Sequence, residues 1–521
     1  MLRKIRISLA AVIFTLITLL FLDFTGTLHA WFGWLAKIQF LPALLALNIG
    51  VIILLVALTL LFGRVYCSVI CPMGVFQDVV AWISKKVCKK KKYTYSKALT
   101  WLRYTVLAVI IIAFIAGIGS MVALLDPYGA YGRIASNLFG PIYKWVNNFF
   151  AYLAERANSY AFYSVDVWIK NGITFFIALA TFVLIAILAF KNGRTYCNTV
   201  CPVGTVLGLL SKYSLYKPVI NADKCINCKK CVNGCKASCI DLENKKIDYS
   251  RCVSCFNCID KCNVGAMKYV MASKGSKSVS EKEPSNASDG DNSRRKFVSI
   301  ATMAAVGTAL KAQTAIVNPD GGLADIEEKK ASIRATRIVP PGAKSLKNLA
   351  KHCTGCQLCV SVCPNNVLRP SKDPKKWMQP EMSYERGYCR PECTKCSEVC
   401  PTGAIEKITA ADKSAIKIGS AMWIRENCIV VNDEKPCTEC QRHCPTGAIT
   451  MVALNPEDEK QQDTPRPQNS WQQPMRNSKP ILRTPVIDFE KCIGCGECEH
   501  LCPGRPYSAI YVEGIEVHHM V

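Results

Sequence analysis

Cys225-Ile226-Asn227-Cys228-Lys229-Lys230-Cys231-Val232-Asn233-Gly234-Cys235 decides how the chain is read. Its four thiols fall at C-x2-C-x2-C-x3-C, and the same spacing returns at Cys252, Cys255, Cys258 and Cys262. Thiolate is a soft anionic donor matched to iron in a sulfide cluster, and the two-residue gaps let one loop reach three irons. A pair of structural zinc sites would use two C-x-x-C halves each, leaving the third cysteine of each run without a purpose. The reading is therefore two 4Fe–4S clusters, each run lending its fourth cysteine to the other. Cys225, Cys228, Cys231 and Cys262 are expected to hold one cluster, and Cys252, Cys255, Cys258 and Cys235 the second.

This is the spacing of a two-cluster bacterial ferredoxin, so residues 216–271 are expected to form an α+β domain of that kind. Lys236 and Asn263 stand where a proline usually follows the fourth cysteine, a change that removes no ligand. Cys239 aligns with a small buried residue, and Cys88, alone in a lysine run, has no partner in sequence.

Upstream, four segments are apolar enough to span a bilayer core of ~30 Å. They run from about Ile5 to Leu22, Phe40 to Phe62, Trp101 to Leu125 and Ile173 to Phe190. The basic amino terminus and the lysine-rich loop after Phe62 place those ends in the cytoplasm by the positive-inside rule. The aromatic stretch from Pro141 to Lys170 then lies at the outer interface. Gly63-Arg64-Val65-Tyr66-Cys67 continues to Cys71-Pro72-Met73-Gly74, and Gly193-Arg194-Thr195-Tyr196-Cys197 continues to Cys201-Pro202-Val203-Gly204. Seven of these twelve positions are identical between the copies. The repeat makes residues 1–215 a four-helix membrane unit of two parallel two-helix repeats, with both cysteine pairs expected at the cytoplasmic face. Cys67, Cys71, Cys197 and Cys201 would form a redox or metal site there, or else a tight helix exit lined by small buried residues.

Downstream, 272–292 reads as a polar linker. Ser293-Arg294-Arg295-Lys296-Phe297-Val298 and the mildly apolar stretch behind it fit a twin-arginine export signal or anchor over 293–315. Residues 316–521 then form an exported domain with four more runs. They are Cys353, Cys356, Cys359, Cys363; Cys389, Cys393, Cys396, Cys400; Cys428, Cys437, Cys440, Cys444; and Cys492, Cys495, Cys498, Cys502. Sixteen cysteines make four clusters, six with the cytoplasmic pair, and the same thiols are the iron ligands. Spacing leaves open whether adjacent runs pair or the first pairs with the fourth. A Pro-, Gln- and Asp-rich loop over 455–485 is inserted without loss of a ligand.

The net charge of +25 suits membrane-flanking loops, and without a helix-turn-helix, RNP or zinc-finger pattern it gives no reason to expect a nucleic-acid partner. His29 is the only histidine in the first 270 residues, so no bis-histidine haem bridges the membrane. A quinol is then the plausible mobile carrier, oxidised near the outer face. Asp126, in Asp126-Pro127-Tyr128-Gly129, would accept its proton there, although a helix-ending Asp-Pro turn is the plainer reading.

Taken together, residues 1–270 resemble NapH, the membrane ferredoxin-type protein of periplasmic nitrate reductase systems. Residues 293–521 resemble NapG, its exported four-cluster partner, and MauN and MauM share this plan. The resemblance implies a multi-pass protein of the bacterial inner membrane, with 216–271 cytoplasmic and 316–521 periplasmic. It would be a quinol dehydrogenase component rather than a terminal reductase, drawing on the quinone pool and passing electrons to a periplasmic cytochrome or reductase. The alternatives are an assembly or metal-reducing factor acting through the CxxxCP thiols, and a redox-sensing regulator.

Overall fold

The computed structural model describes residues 1–88, 92–271, 327–455 and 481–521. The expected linker 272–292, the expected twin-arginine segment 293–315 and residues 456–480 of the expected inserted loop lie outside the described residues. Met1–Ala272 and Lys329–Val521 pack as one compact unit.

Among the described residues, Leu2–Leu22 and Gly172–Asn192 are long and apolar enough to cross a membrane. The other two expected spans are each broken. Phe40–Leu45 is parted from Ile49–Phe62 where Leu47 turns to a φ of 52° and Asn48 caps the second helix. Thr100–Ile115 is parted from Gly119–Leu125 at Gly117, with a φ of 73°. At 1.5 Å per residue the longer pieces reach only ~21 and ~24 Å. Asn at an N-cap and Gly in the left-handed region are strong helix punctuation, and here they override a continuous apolar pattern.

Each copy of the repeated motif folds as an elbow. Gly63 and Gly193 take φ values of 72° and 78°, which turn the chain off the preceding helix. A short helix follows, Val65–Val69 or Thr195–Thr199, and a proline then opens the next helix, Pro72–Val87 or Pro202–Ser211.

The long helices run between two cluster-motif regions. At one end, Arg3 pairs with Asp260, and the Phe62 carbonyl accepts from Ser254 Oγ and Tyr269 Oη, both at 3.0 Å. At the other end, Lys395 Nζ donates to the Thr25 carbonyl at 3.0 Å, Lys170 Nζ to the Val360 carbonyl, and Asn171 Nδ2 to the Pro370 carbonyl at 2.9 Å. The cysteine-run regions are α+β: one-turn helices beside two-stranded antiparallel sheets. Tyr216–Ile220 pairs with Met267–Met271, Ile449–Ala453 with Arg483–Ile487, and Ile416–Trp423 with Ile510–Met520.

Candidate functional site

Three cavities are lined by cysteines, and in each the donor set mixes two runs. One is lined by Cys389, Cys393 and Cys396 with Cys363, a second by Cys252, Cys255 and Cys258 with Cys235 and Cys239, and a third by Cys428, Cys437 and Cys440 with Cys502. Cys353, Cys356 and Cys359 share the field of Cys400, and Cys492, Cys495 and Cys498 that of Cys444. Cys225 and Cys228 act in the same way on Cys231, which shares a core with Cys262. In the carboxy-terminal region the first run therefore pairs with the second and the third with the fourth, the helix Leu358–Ser361 packing on Lys395–Val399 and Glu439–Arg442 on Glu497–Leu501. Among the described residues, no three Cys, His, Asp or Glu donors are gathered as a single metal ion would require. Thiol-lined cavities with exchanged fourth ligands suit a polynuclear iron–sulfur group. Cys239 is buried with its sulfur 3.6 Å from that of Cys235, and Cys88 is exposed.

The CxxxCP cysteines, expected at two helix exits, are buried within the helix bundle. Cys67, Cys71, Cys197 and Cys201 are 4 to 5% exposed and lie in one continuous core with Tyr128, Cys356 and Cys359. The elbow fold accounts for this burial, because each motif turns back into the helix bundle after Gly63 or Gly193. The four sulfurs act on one another: Cys197 and Cys67 on Cys71, and Cys197, Cys71 and Cys67 on Cys201.

The repeated residues brace one copy against the other. Arg64 Nη2 donates to the Cys197 carbonyl at 3.1 Å, and Arg194 Nη1 donates to the Cys67 carbonyl at 2.6 Å. The following helix must come close for this to happen. A Cβ at Gly74 would lie 2.2 Å from the Cys67 carbonyl, and one at Gly204 2.3 Å from that of Cys197. Tyr66 Oη donates to Gln39 Oε1 at 3.1 Å and Tyr196 Oη to the Leu125 carbonyl at 3.4 Å, both toward the far end of the bundle. Gln77 Nε2 lies 3.1 Å from Cys197 Sγ. Sequence reasoning picked out the cysteines and passed over the pairs Arg64/Arg194 and Tyr66/Tyr196, although these are two of the seven repeated identities.

Two buried carboxylates flank this core. Asp78 accepts from Arg6 and Arg194, each at 2.8 Å, and pairs with Lys236 at 3.3 Å. Burial would raise its pKa, but Arg194, Lys236 and Arg6 hold the carboxyl well below its usual range. Lys236, in the proline's place, thus fastens the first cluster-motif domain to the helices, and the Arg194 N–H donates to its carbonyl at 2.9 Å. Asp126 caps the helix Pro127–Ile134, accepting from the Tyr128 and Gly129 N–H groups at 3.2 and 2.8 Å. Burial pushes it up to about 6, against those two donors and Arg133. The same helix carries the loop 353–356. A Cβ at Gly132 would lie 2.5 Å from the Cys356 carbonyl, and Arg133 Nη1 donates to the Gly355 carbonyl at 3.4 Å.

Thiol quartets held by one-turn helices and short antiparallel sheets define an iron–sulfur protein of the ferredoxin type. The family model described as "4Fe-4S binding domain" matches residues 43–91 and 174–220, the two CxxxCP segments, and "4Fe-4S dicluster domain" matches 352–404 and 435–505. The chain is related to ferredoxin-type components of the Nap and Mau kinds. It is 28% identical over 172 residues to methylamine utilization ferredoxin-type protein MauM of Methylobacillus flagellatus, covering 32% of this chain and 64% of that one. It is 28% identical over 196 residues to ferredoxin-type protein NapH of Haemophilus influenzae (37% and 55%), and 26% identical over 201 residues to NapG of Escherichia coli (36% and 78%). The matches to MauM and NapH thus span roughly three fifths of those relatives. No solved structure matches.

Proposed function

We propose that this protein is a multi-pass inner-membrane electron carrier that oxidises quinol and passes electrons to a redox partner on the outer side. The observation that carries the reading is the position of Cys67, Cys71, Cys197 and Cys201. They lie buried between the two cluster-motif regions and share a core with Cys356 and Cys359. The sequence reading left ~30 Å of hydrocarbon to be crossed by quinol alone; a centre inside the bundle divides that gap.

Six clusters are assigned to the ferredoxin-type runs. Cys225, Cys228, Cys231 and Cys262 hold the first, and Cys252, Cys255, Cys258 and Cys235 the second. In the carboxy-terminal region the fourth ligands are Cys400 for the Cys353 run, Cys363 for the Cys389 run, Cys502 for the Cys428 run and Cys444 for the Cys492 run. A seventh iron–sulfur group is assigned to the CxxxCP quartet, in line with the family match over both segments. Bound at these thiols, such groups supply one-electron carriers whose potentials follow burial and hydrogen bonding. Arg64 and Arg194 hold the two elbows in register, and Gln77 supplies a donor toward Cys197 Sγ. The assembly-factor reading needs accessible thiols, whereas these four are buried.

Support for membrane insertion comes from the outward faces of the helices. A helix at the core of a soluble protein is mostly covered, yet only 28% of the apolar window in Leu2–Leu22 and 22% of that in Gly172–Asn192 is buried. The broken helices expose Ile53, Leu54, Ile112 and Ile115 in the same way. The basic loops put the first cluster domain in the cytoplasm, and the twin-arginine segment carries the carboxy-terminal domain outward.

In proteoliposomes, a short-tailed quinol is expected to reduce the carboxy-terminal clusters, read by electron paramagnetic resonance. Protease added to spheroplasts should digest that domain and spare the first. Reduction by dithionite alone would overturn the quinol reading, and digestion of the first domain would overturn the topology.

A further inference from the structure

A cavity of about 450 Å3 opens between the start of the helix Leu2–Leu22, the helix Pro72–Val87 and the first cluster-motif domain. Its lining mixes two chemistries. Ile7, Phe14, Val79 and Trp82 make an apolar wall, with Ile7 and Trp82 also exposed at the surface. Arg3, Arg6, Lys85, Lys236 and Lys261 add cations to the same lining. Asp78 also lines the cavity, but its oxygens are already engaged by Arg6, Arg194 and Lys236, and Arg3 is paired with Asp260.

Cations remain in excess. Lys85, whose ammonium lies 4.5 Å from the Tyr93 ring centroid, and Lys261 face the cavity without a carboxylate partner among the described residues. A neutral quinone would meet the apolar wall and leave these charges uncompensated. A phosphodiester brings a full negative charge and several acceptor oxygens, and acyl chains match the wall.

We propose that this cavity holds the headgroup of an anionic phospholipid, its chains lying along Ile7, Phe14, Val79 and Trp82. The proposal rests on the membrane reading above, and basic pockets at the cytoplasmic side of membrane helices bind such headgroups. Arg3, Arg6 and Lys85 come from the helices, whereas Lys236 and Lys261 come from the first cluster-motif domain. One phosphate therefore ties that domain to the bundle.

The test is native mass spectrometry of the full chain, exchanged into nanodiscs of phosphatidylcholine with phosphatidylglycerol. The wild type is expected to retain phosphatidylglycerol over phosphatidylcholine by about tenfold or more. Lys85→Gln with Lys261→Gln should lose that preference with its iron content unchanged, and Lys85→Arg with Lys261→Arg should restore it. Equal retention of both lipids, a preference that survives the Gln variant, or a retained quinone in place of lipid would overturn the proposal. Displacement of the lipid by millimolar inorganic phosphate would also overturn it, identifying a free-oxyanion site. Failure of the membrane reading would be seen separately, as release of the chain from carbonate-washed membranes.

Discussion

Cys67→Ser is expected to stop quinol-driven reduction of the carboxy-terminal domain, and to stop it as completely as Cys67→Ser combined with Cys197→Ser. The reason is geometric. The two elbows are braced by reciprocal bonds, Arg64 to the Cys197 carbonyl and Arg194 to the Cys67 carbonyl, and the proposed centre takes its four thiols from both. Groups that act as a unit give non-additive losses, and one removal costs nearly what several do. The drop should be roughly a hundredfold or more in either variant. Stopped-flow reduction by quinol reads it, with dithionite reduction as the control that the ferredoxin-type clusters remain. Losses that multiply between the variants would mean two separate thiol sites.

A second large effect is expected at Cys400. It lies in the second carboxy-terminal run but shares its field with Cys353, Cys356 and Cys359 of the first. That quartet rests on the helix Pro127–Ile134, where Gly132 admits the Cys356 carbonyl. Cys400→Ser should therefore remove about four iron atoms from the place where the carboxy-terminal region meets the bundle. Reduction of the remaining carboxy-terminal clusters by quinol should fall on the order of a hundredfold, the scale of losing one member of a functional unit. Cys444→Ser should cost similar iron while leaving reduction of the clusters nearer the bundle intact. Iron analysis with electron paramagnetic resonance separates the two, and identical behaviour would contradict the assigned pairing.

The sequence was most legible where ligand chemistry dictates spacing. C-x2-C-x2-C-x3-C announces the ferredoxin-type motifs because few other sites need three thiols on one loop. The pairing of the carboxy-terminal runs was hidden, since it depends on which one-turn helices pack together. The helix breaks had local signals in Asn48 and Gly117, outweighed in the reading by the apolar residues around them. Asp78 offered no signal: its partners Arg6, Arg194 and Lys236 come from three distant segments. Lys236 could be recognised in sequence only as a missing proline, and its reach to Asp78 explains why a long cationic side chain occupies that position.

The elbow cysteines mark the limit of motif reading. Their number and symmetry were plain, but their depth was not, because the turn at Gly63 and Gly193 decides whether the motif leaves the bundle or re-enters it. Their burial now carries the claim that a redox centre lies between the two cluster-bearing regions. The measurement that tests it most directly is the iron content of the anaerobically purified full chain, compared with a variant in which Cys67, Cys71, Cys197 and Cys201 are all serine. The predicted result is about 28 iron atoms per wild-type chain and about 24 in the variant, with all six ferredoxin-type clusters retained. Equal iron in the two proteins would contradict it and reduce the four buried thiols to packing residues.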